Sequence, residues 1–206
     1  MSIIPALQWR YALKHFSDKK VDDGMIEQLI DAARLSASAY GLQPFQVWVV
    51  EDESMRAKLS ENAYGQTQLQ ECSQLLVFAS ETSVSDDTID QYFQRYHQQT
   101  NTPVGSLNGY AAHIKTAMSL KSDVEKQAWA DMQAYIALGS VMVEAAMLGI
   151  DACPMSGFDR AAFDRTLGLT EHNLSACAIC AVGYRPEDVP QPIKVRKTRD
   201  EFSRAI

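Results

Sequence analysis

The sequence predicts a mixed domain of helices and a few short strands, α+β or α/β in class. Three observations point there. Gln46–Glu51, Gln74–Ser80 and Leu174–Gly183 are short β-branched or apolar runs of strand length. Between them lie segments with apolar residues at helical spacing, among them Met25, Ile26, Leu29, Ile30 and Ala33. The connections are long helical insertions instead of regular βαβ units. The chain has no internal repeat, low-complexity tract or Pro/Gly/Ser-rich linker, so 1–206 reads as one domain.

Taken in order, Ile3 to His15 reads as a first helix, with Ile4, Leu7, Tyr11 and Lys14 along related faces. Asp22 or Asp23 caps a second helix running to about Leu35. Gln46–Glu51 is a strand, Glu53–Ala63 a helix and Gln74–Ser80 a buried strand. Ser83 or Ser85, followed by Asp86 and Asp87, starts a helix to about His97. The polar, turn-rich stretch from Gln98 to Asn108 is a loop, with helical residues following to about Ser119. A long helix from Ser122 to Leu148 is stopped by Gly149. A short strand at Ala152–Cys153, a helix over Ala161–Leu167 and the strand Leu174–Gly183 complete the core. The tail from Tyr184 to Ile206 has too few apolar residues to fold on itself and must run over another surface.

Composition narrows the function. A formal charge of -7 argues against non-specific binding to nucleic acid or anionic lipid, which needs broad positive fields. Met1 to Lys14 holds no signal-peptide core, and the most apolar segment, Met132–Val143, is too short to span a membrane. The expectation is a cytoplasmic protein with no membrane or nucleic-acid partner. Cys72, Cys153, Cys177 and Cys180 should then stay reduced. Cys177 and Cys180 form a CxxC, yet at a spacing of three on a strand their thiols face opposite sides, and no second pair completes a zinc set. His15, His97, His113 and His172 have no nucleophile pattern beside them. Neither GxGxxG after a strand nor GxxxxGK[ST] is present.

Two basic pairs stand out in this acidic chain. On a helix Arg10 and Lys14, four apart, share a face. On an extended tail Lys194 and Arg196, two apart, share a side. Brought together by folding, they would make a compact pocket for one phosphate-bearing small molecule.

Four separated segments carry a resemblance: Arg10-x-x-x-Lys14-x-Phe16, Ser36–Phe45, Ala152–Asp159 and Lys194–Arg196. Their order, spacing and placement resemble the nitroreductase family of FMN-dependent NAD(P)H oxidoreductases, over nearly the whole chain. The resemblance implies an α+β fold arranged as an α/β/α sandwich. A small, mostly antiparallel central sheet would be flanked by helices. The long core helix would lie at a homodimer interface, and the C-terminal tail would wrap the partner. Bound FMN and an NADH or NADPH donor are implied as cofactors. Arg10, Lys194 and Arg196 correspond to the groups that take the phosphate, for which arginine's fork is well suited. Lys14 corresponds to the cation beside the flavin's pyrimidine edge, where a fixed charge favours the reduced ring. Tyr11 and Ala12 lie between them. A backbone N–H of Ser156 or Gly157, in the turn Pro154-Met155-Ser156-Gly157, corresponds to the donor aimed at flavin N5. Catalysis would thus use no side chain beyond the electrostatic part of Lys14. Ser38, Ala39 and Gly41 match a loop that reaches the flavin of the other subunit.

The chain departs from the family's pattern at several positions. Ala12 stands where many members have serine, Gly65 where asparagine is common, and Gln68 where some have lysine. Gln68 can hydrogen-bond the flavin edge but adds no charge. Tyr92, Phe93, Tyr96 and Tyr110 lie in or beside a variable region that covers the flavin in relatives, as a stacking lid or as packing aromatics. The implied activity is ping-pong hydride transfer through flavin N5 to small electrophiles such as nitroaromatics or quinones. A flavin-binding protein without turnover, or a specialised flavin-destroying or dehalogenating member, would carry the same segments.

Overall fold

A computed structural model describes residues 2–206. In chain order the elements are α1 (Ile4–Trp9), α2 (Asp23–Arg34), β1 (Phe45–Val50), α3 (Glu53–Glu61), α4 (Gln68–Glu71), β2 (Gln74–Glu81), α5 (Asp86–Thr100), α6 (Asn108–Ser119), α7 (Asp123–Met147), β3 (Asp151–Met155), α8 (Arg160–Leu167), β4 (Leu174–Gly183) and α9 (Arg199–Phe202). Four strands form an antiparallel sheet in the order β1-β2-β4-β3. The expected α+β architecture of helices about a small antiparallel sheet is what forms.

The central strands β2 and β4 are buried from end to end or nearly so, which is why they read as continuous apolar runs. Alternate side chains enter two cores. Leu75, Val77, Ala79, Ile179 and Ala181 pack under α3, α4 and α8, together with Leu13 and Phe16. Leu76, Phe78, Ala178, Cys180 and Val182 pack under α2 and α7. A third cluster, built from Leu42, Ile89, Phe93, Ile114, Met118 and Ala130, joins α5 and α6 to the start of α7.

Helix boundaries follow their caps. Ser122 and Glu125 make a reciprocal capping box at the start of α7. Gly149, at φ 71°, follows its end. Asp22, Asp52, Ser85 and Asp159 each accept a backbone N–H in the first turn of α2, α3, α5 and α8.

Four sequence expectations need correction. The first helix ends at Trp9 instead of reaching His15, with Arg10 already extended at ψ 143°. Over residues 11–14 the chain alternates instead: Tyr11 and Leu13 turn inward while Ala12 and Lys14 stay exposed. Burying Leu13 and Phe16 between α4 and the sheet wins over local helix propensity. Second, Pro154 and Met155 belong to β3, not to the following turn. Proline is tolerated there because β3 is an edge strand. Third, the register of β2 against β4 shifts after Phe78, from Ala178 to Ala176, leaving Cys177 as an extra bulged residue. Cys177 and Cys180 therefore enter the same core instead of opposite faces. Fourth, Gln68–Glu71 forms a short helix where none was expected, and α5 extends three residues beyond His97.

Candidate functional site

Arg10, Ala12 and Lys14 still share one side of the chain, through the two-residue period of an extended segment instead of a helical turn. Behind them the tail folds back onto its own chain. Gln191 Nε2 donates to the Trp9 carbonyl at 2.8 Å, and Lys194 Nζ donates to the carbonyls of Leu7 and Arg10. The open C-terminal end of α1 thus holds Lys194. Desolvation, together with the guanidinium groups of Arg10 and Arg196, holds the Lys194 ammonium below its ordinary range. Lys194 and Arg10, from the two ends of the chain, are therefore in contact, and Arg196 lies near enough for its charge to act on Lys194. The Arg10 Nε is buried without a hydrogen-bond partner. An orphaned guanidinium donor inside a cation cluster suits a phosphate.

Lys14 lies at the other end of this strip, with Nζ 3.6 Å from the Cys153 Sγ of β3. Burial raises the Cys153 thiol, although Lys14 and Arg10 both pull it down. Gln68, buried on α4, donates to Met155 Sδ at 3.2 Å and to Gln66 Oε1 at 3.1 Å. Gln66 in turn donates to the Gly157 carbonyl at 2.7 Å. Ser156 and Gly157 are exposed, and no described loop or turn acceptor takes the N–H of either. Tyr11 packs inward, its ring 4.7 Å from the Arg185 guanidinium, which also lies over Trp9.

Arg10, Tyr11, Ala12, Lys14, Gln68, Met155, Ser156, Gly157, Lys194 and Arg196 therefore fall in one region, and Pro154 leads into it along β3. Ser38, Ala39 and Gly41 do not. Their loop sits against α5 and α7, where Ser38 Oγ accepts the Gln43 N–H and Gln133 Oε1 accepts the Ala39 N–H at 2.8 Å. No hydrogen bond among the described residues joins this loop to the cation cluster. Phe93 stacks edge to face with both Tyr92 and Tyr110 and is buried in the third core cluster.

With this geometry in view, the family model of the nitroreductase family matches residues 7–184. This chain belongs to the nitroreductase family. Among curated relatives, a Bacillus subtilis (strain 168) protein bearing the name NAD(P)H nitroreductase YfkO is 33% identical over 202 residues, covering 92% of this chain and 91% of its own. The crystal structure of the Bacillus subtilis nitroreductase ydfN superposes with a TM-score of 0.89 at 19% identity, over 98% of each chain. An Exiguobacterium sibiricum nitroreductase, solved in complex with FMN, superposes with a TM-score of 0.85 at 16% identity, over 100% of this chain and 98% of its own. These two structures establish the nitroreductase fold.

Several residues that border these groups were not singled out by the sequence. Gln66, Cys153, Tyr135 and Gln191 make their contacts with residues 91, 139, 42 and 182 positions away. Cys153 lies within the Ala152–Asp159 segment without a role of its own there, and the other three have no fixed spacing that a local motif could mark. Only the folded chain shows them.

Proposed function

We propose that this chain is an FMN-dependent NAD(P)H oxidoreductase that reduces small electrophiles such as nitroaromatics or quinones. The observation that carries the reading is the convergence of Arg10, Lys194 and Arg196 around an orphaned guanidinium nitrogen, one strip away from Lys14 and the bare N–H groups of Ser156 and Gly157. A planar, phosphate-tailed cofactor has this distribution of needs: charge at one end, and polar edge contacts and donors at the other. The NAD(P)H nitroreductase relative and the FMN-bound neighbour support the same choice.

In this reading Arg10, Lys194 and Arg196 hold the phosphate. Tyr11 and Ala12 border it, and Lys14 and Gln68 face the pyrimidine edge. Pro154 and Met155 carry the turn that presents the Ser156 and Gly157 N–H groups. Bound FMN would supply two-electron chemistry, accepting hydride from NADH or NADPH at N5 and passing it to the acceptor in ping-pong turnover. The protein contributes orientation and a fixed electrostatic field.

We also propose a homodimer in which Ser38, Ala39 and Gly41 reach the partner's cofactor. The exposed side of α7 carries Met132, Tyr135, Ile136 and Met147, and α1 exposes Ile4. In the tail Ile193 is 92% and Val195 81% exposed, apolar side chains that a second copy would cover. Residues 1–206 then act as one domain. The four free, buried cysteines suit the reducing cytoplasm.

The test is an absorbance spectrum of the purified protein, followed by anaerobic titration with NADH and NADPH. A yellow protein bleached by either donor and re-oxidised by a nitroaromatic or quinone is expected. Protein that stays colourless after FMN is added overturns the reading.

A further inference from the structure

The turn from Ser156 to Asp159 is fastened by groups that do not touch the cation cluster. Met155 pairs with Ile179 in the sheet, and the Asp159 N–H donates to the Asn62 carbonyl at 2.8 Å. Arg160, the first residue of α8, reaches back into the sheet and across to α7. Its Nη1 and Nη2 donate to the two Asp131 carboxylate oxygens at 2.8 and 3.0 Å, and its Nε donates to Ser175 Oγ at 2.7 Å. The Ser80 hydroxyl donates to the same Asp131. This is a bidentate pair with the Nε donor also engaged, an arrangement that fixes direction as well as distance.

The β-bulge lies at the centre of this arrangement. A bulge disrupts the ladder and leaves backbone groups in need of other partners. Asp164 of α8 accepts the Ala176 N–H at 2.7 Å and the Ser175 hydroxyl at 2.6 Å. Tyr135 of α7, one helical turn after Asp131, donates its hydroxyl to the Cys177 carbonyl at 3.2 Å. The phenol also lies against the Ser156 side chain, and burial leads the causes that raise it above its ordinary value, so it remains a donor at neutral pH. Yet the Tyr135 residue is 45% exposed.

We propose that Tyr135, together with the Asp131–Arg160 pair, is a positioning residue for the Ser156–Gly157 turn: it locks the direction of the two bare N–H groups by tying the turn to the bulge of β4. The inference rests on the flavin reading given above, in which those donors face the reacting edge of FMN. A donor that stabilises developing charge works only where its direction is fixed in advance. Loosening the latch should therefore disturb electron transfer while leaving the phosphate end alone.

The decisive variant is Tyr135→Phe, which removes one oxygen and keeps the ring. Folded, yellow protein is expected, with an FMN dissociation constant changed by less than about twofold. Its flavin midpoint potential and visible circular dichroism should shift, and anaerobic reduction by NADH should slow at least about tenfold. A 1 Å misplacement in such a site already costs on the order of a hundredfold. Arg160→Lys keeps the charge but cannot serve Asp131 and Ser175 together, and should move the potential in the same direction. It serves as the test should Tyr135→Phe fail to fold. Either variant folding with wild-type potential and reduction rate overturns the proposal, as does a variant that loses thermal stability alone. If the wild-type protein takes up no FMN, the flavin reading fails first. If it binds FMN and turns over while Tyr135→Phe is indistinguishable from it, the positioning role alone falls.

Discussion

The Lys14 ammonium lies 3.6 Å from the thiol of Cys153, joining the N-terminal segment to β3 at the edge of the site. Desolvation keeps that thiol above its ordinary value, so it stays protonated and does not neutralise the lysine. The thiol thus supplies no counter-charge to Lys14 in this contact. Replacing Lys14 with methionine should make bound FMN harder to reduce, lowering the two-electron midpoint by about 30 mV or more, roughly 1.4 kcal/mol. FMN affinity should fall much less, since the phosphate end is untouched. A dye-equilibration titration reads both quantities, and an unchanged midpoint contradicts the role.

At the phosphate end the argument turns on an orphan. Arg10 Nε is buried without a partner, a cost that an anionic ligand would relieve. Arg10→Ala should weaken FMN binding about tenfold to a hundredfold, the span expected for losing charge-assisted hydrogen bonds. Arg196→Ala should weaken it in the same direction, and the double variant by less than the product, because the two cations repel each other in the empty protein. Flavin fluorescence quenching measures each constant. Near-unchanged affinity in the double variant would show that the cations are ordinary surface charges.

Lys194 adds a pH dependence. Desolvation and the neighbouring Arg10 and Arg196 hold its ammonium below 10.5, so it loses its proton at lower pH than an isolated lysine. A bound phosphate favours the protonated form, so affinity and protonation rise and fall together. FMN affinity should be flat through neutrality and decline as pH climbs toward 10.5. Lys194→Arg should remove the part of the decline that belongs to this residue. Affinity that rises with pH would reverse the sign and overturn the assignment.

How much of this was readable beforehand depends on the range of the interactions. The strands Gln74–Glu81 and Leu174–Gly183 and the long helix Asp123–Met147 are set by local pattern, buried runs and a capping box, and the sequence shows them directly. The cations Arg10, Lys14, Lys194 and Arg196 were also recognisable as a set, although the reason two of them share a side differs. Leu13 and Phe16 are drawn into the core, and that non-local packing ends α1 early. The bulge that places Cys177 beside Ala178 depends on pairing with Phe78, nearly a hundred residues away. Gln66 and Tyr135 act only through such distant partners, so no window along the chain contains their signal.

The buried thiols give the protein an alkaline weakness. Burial pushes Cys72 and Cys177 from 9.0 up to about 12 in the folded state. In the unfolded chain they ionise at the lower value. Their contribution is therefore complete below pH 9 and is lost as pH rises from there toward 12, at up to about 1.4 kcal/mol per pH unit for each thiol. Urea unfolding should show falling stability across that window. In Cys177→Ala the slope should drop by about one proton. An unchanged slope would mean that Cys177 ionises in the folded protein.

Gly41 tests how tightly the Ser38 loop is seated. Its φ is +72°, and a Cβ there would lie 3.0 Å from the Tyr92 ring and hydroxyl. Two effects thus oppose alanine, a left-handed backbone and a steric clash, and each alone costs on the order of 1 kcal/mol. Gly41→Ala should lower stability by about 1–2 kcal/mol and the melting midpoint by about 3–6 °C for a chain of this size. The two causes separate in a cycle with Tyr92→Leu. If the clash dominates, the cost of Gly41→Ala shrinks in the Tyr92→Leu background, because the ring that blocks the Cβ is gone. If backbone strain dominates, the cost is the same in both backgrounds. A cost absent from both would show that this loop is not held against α5 as described, and the cross-subunit role given to Ser38, Ala39 and Gly41 would lose its fixed platform.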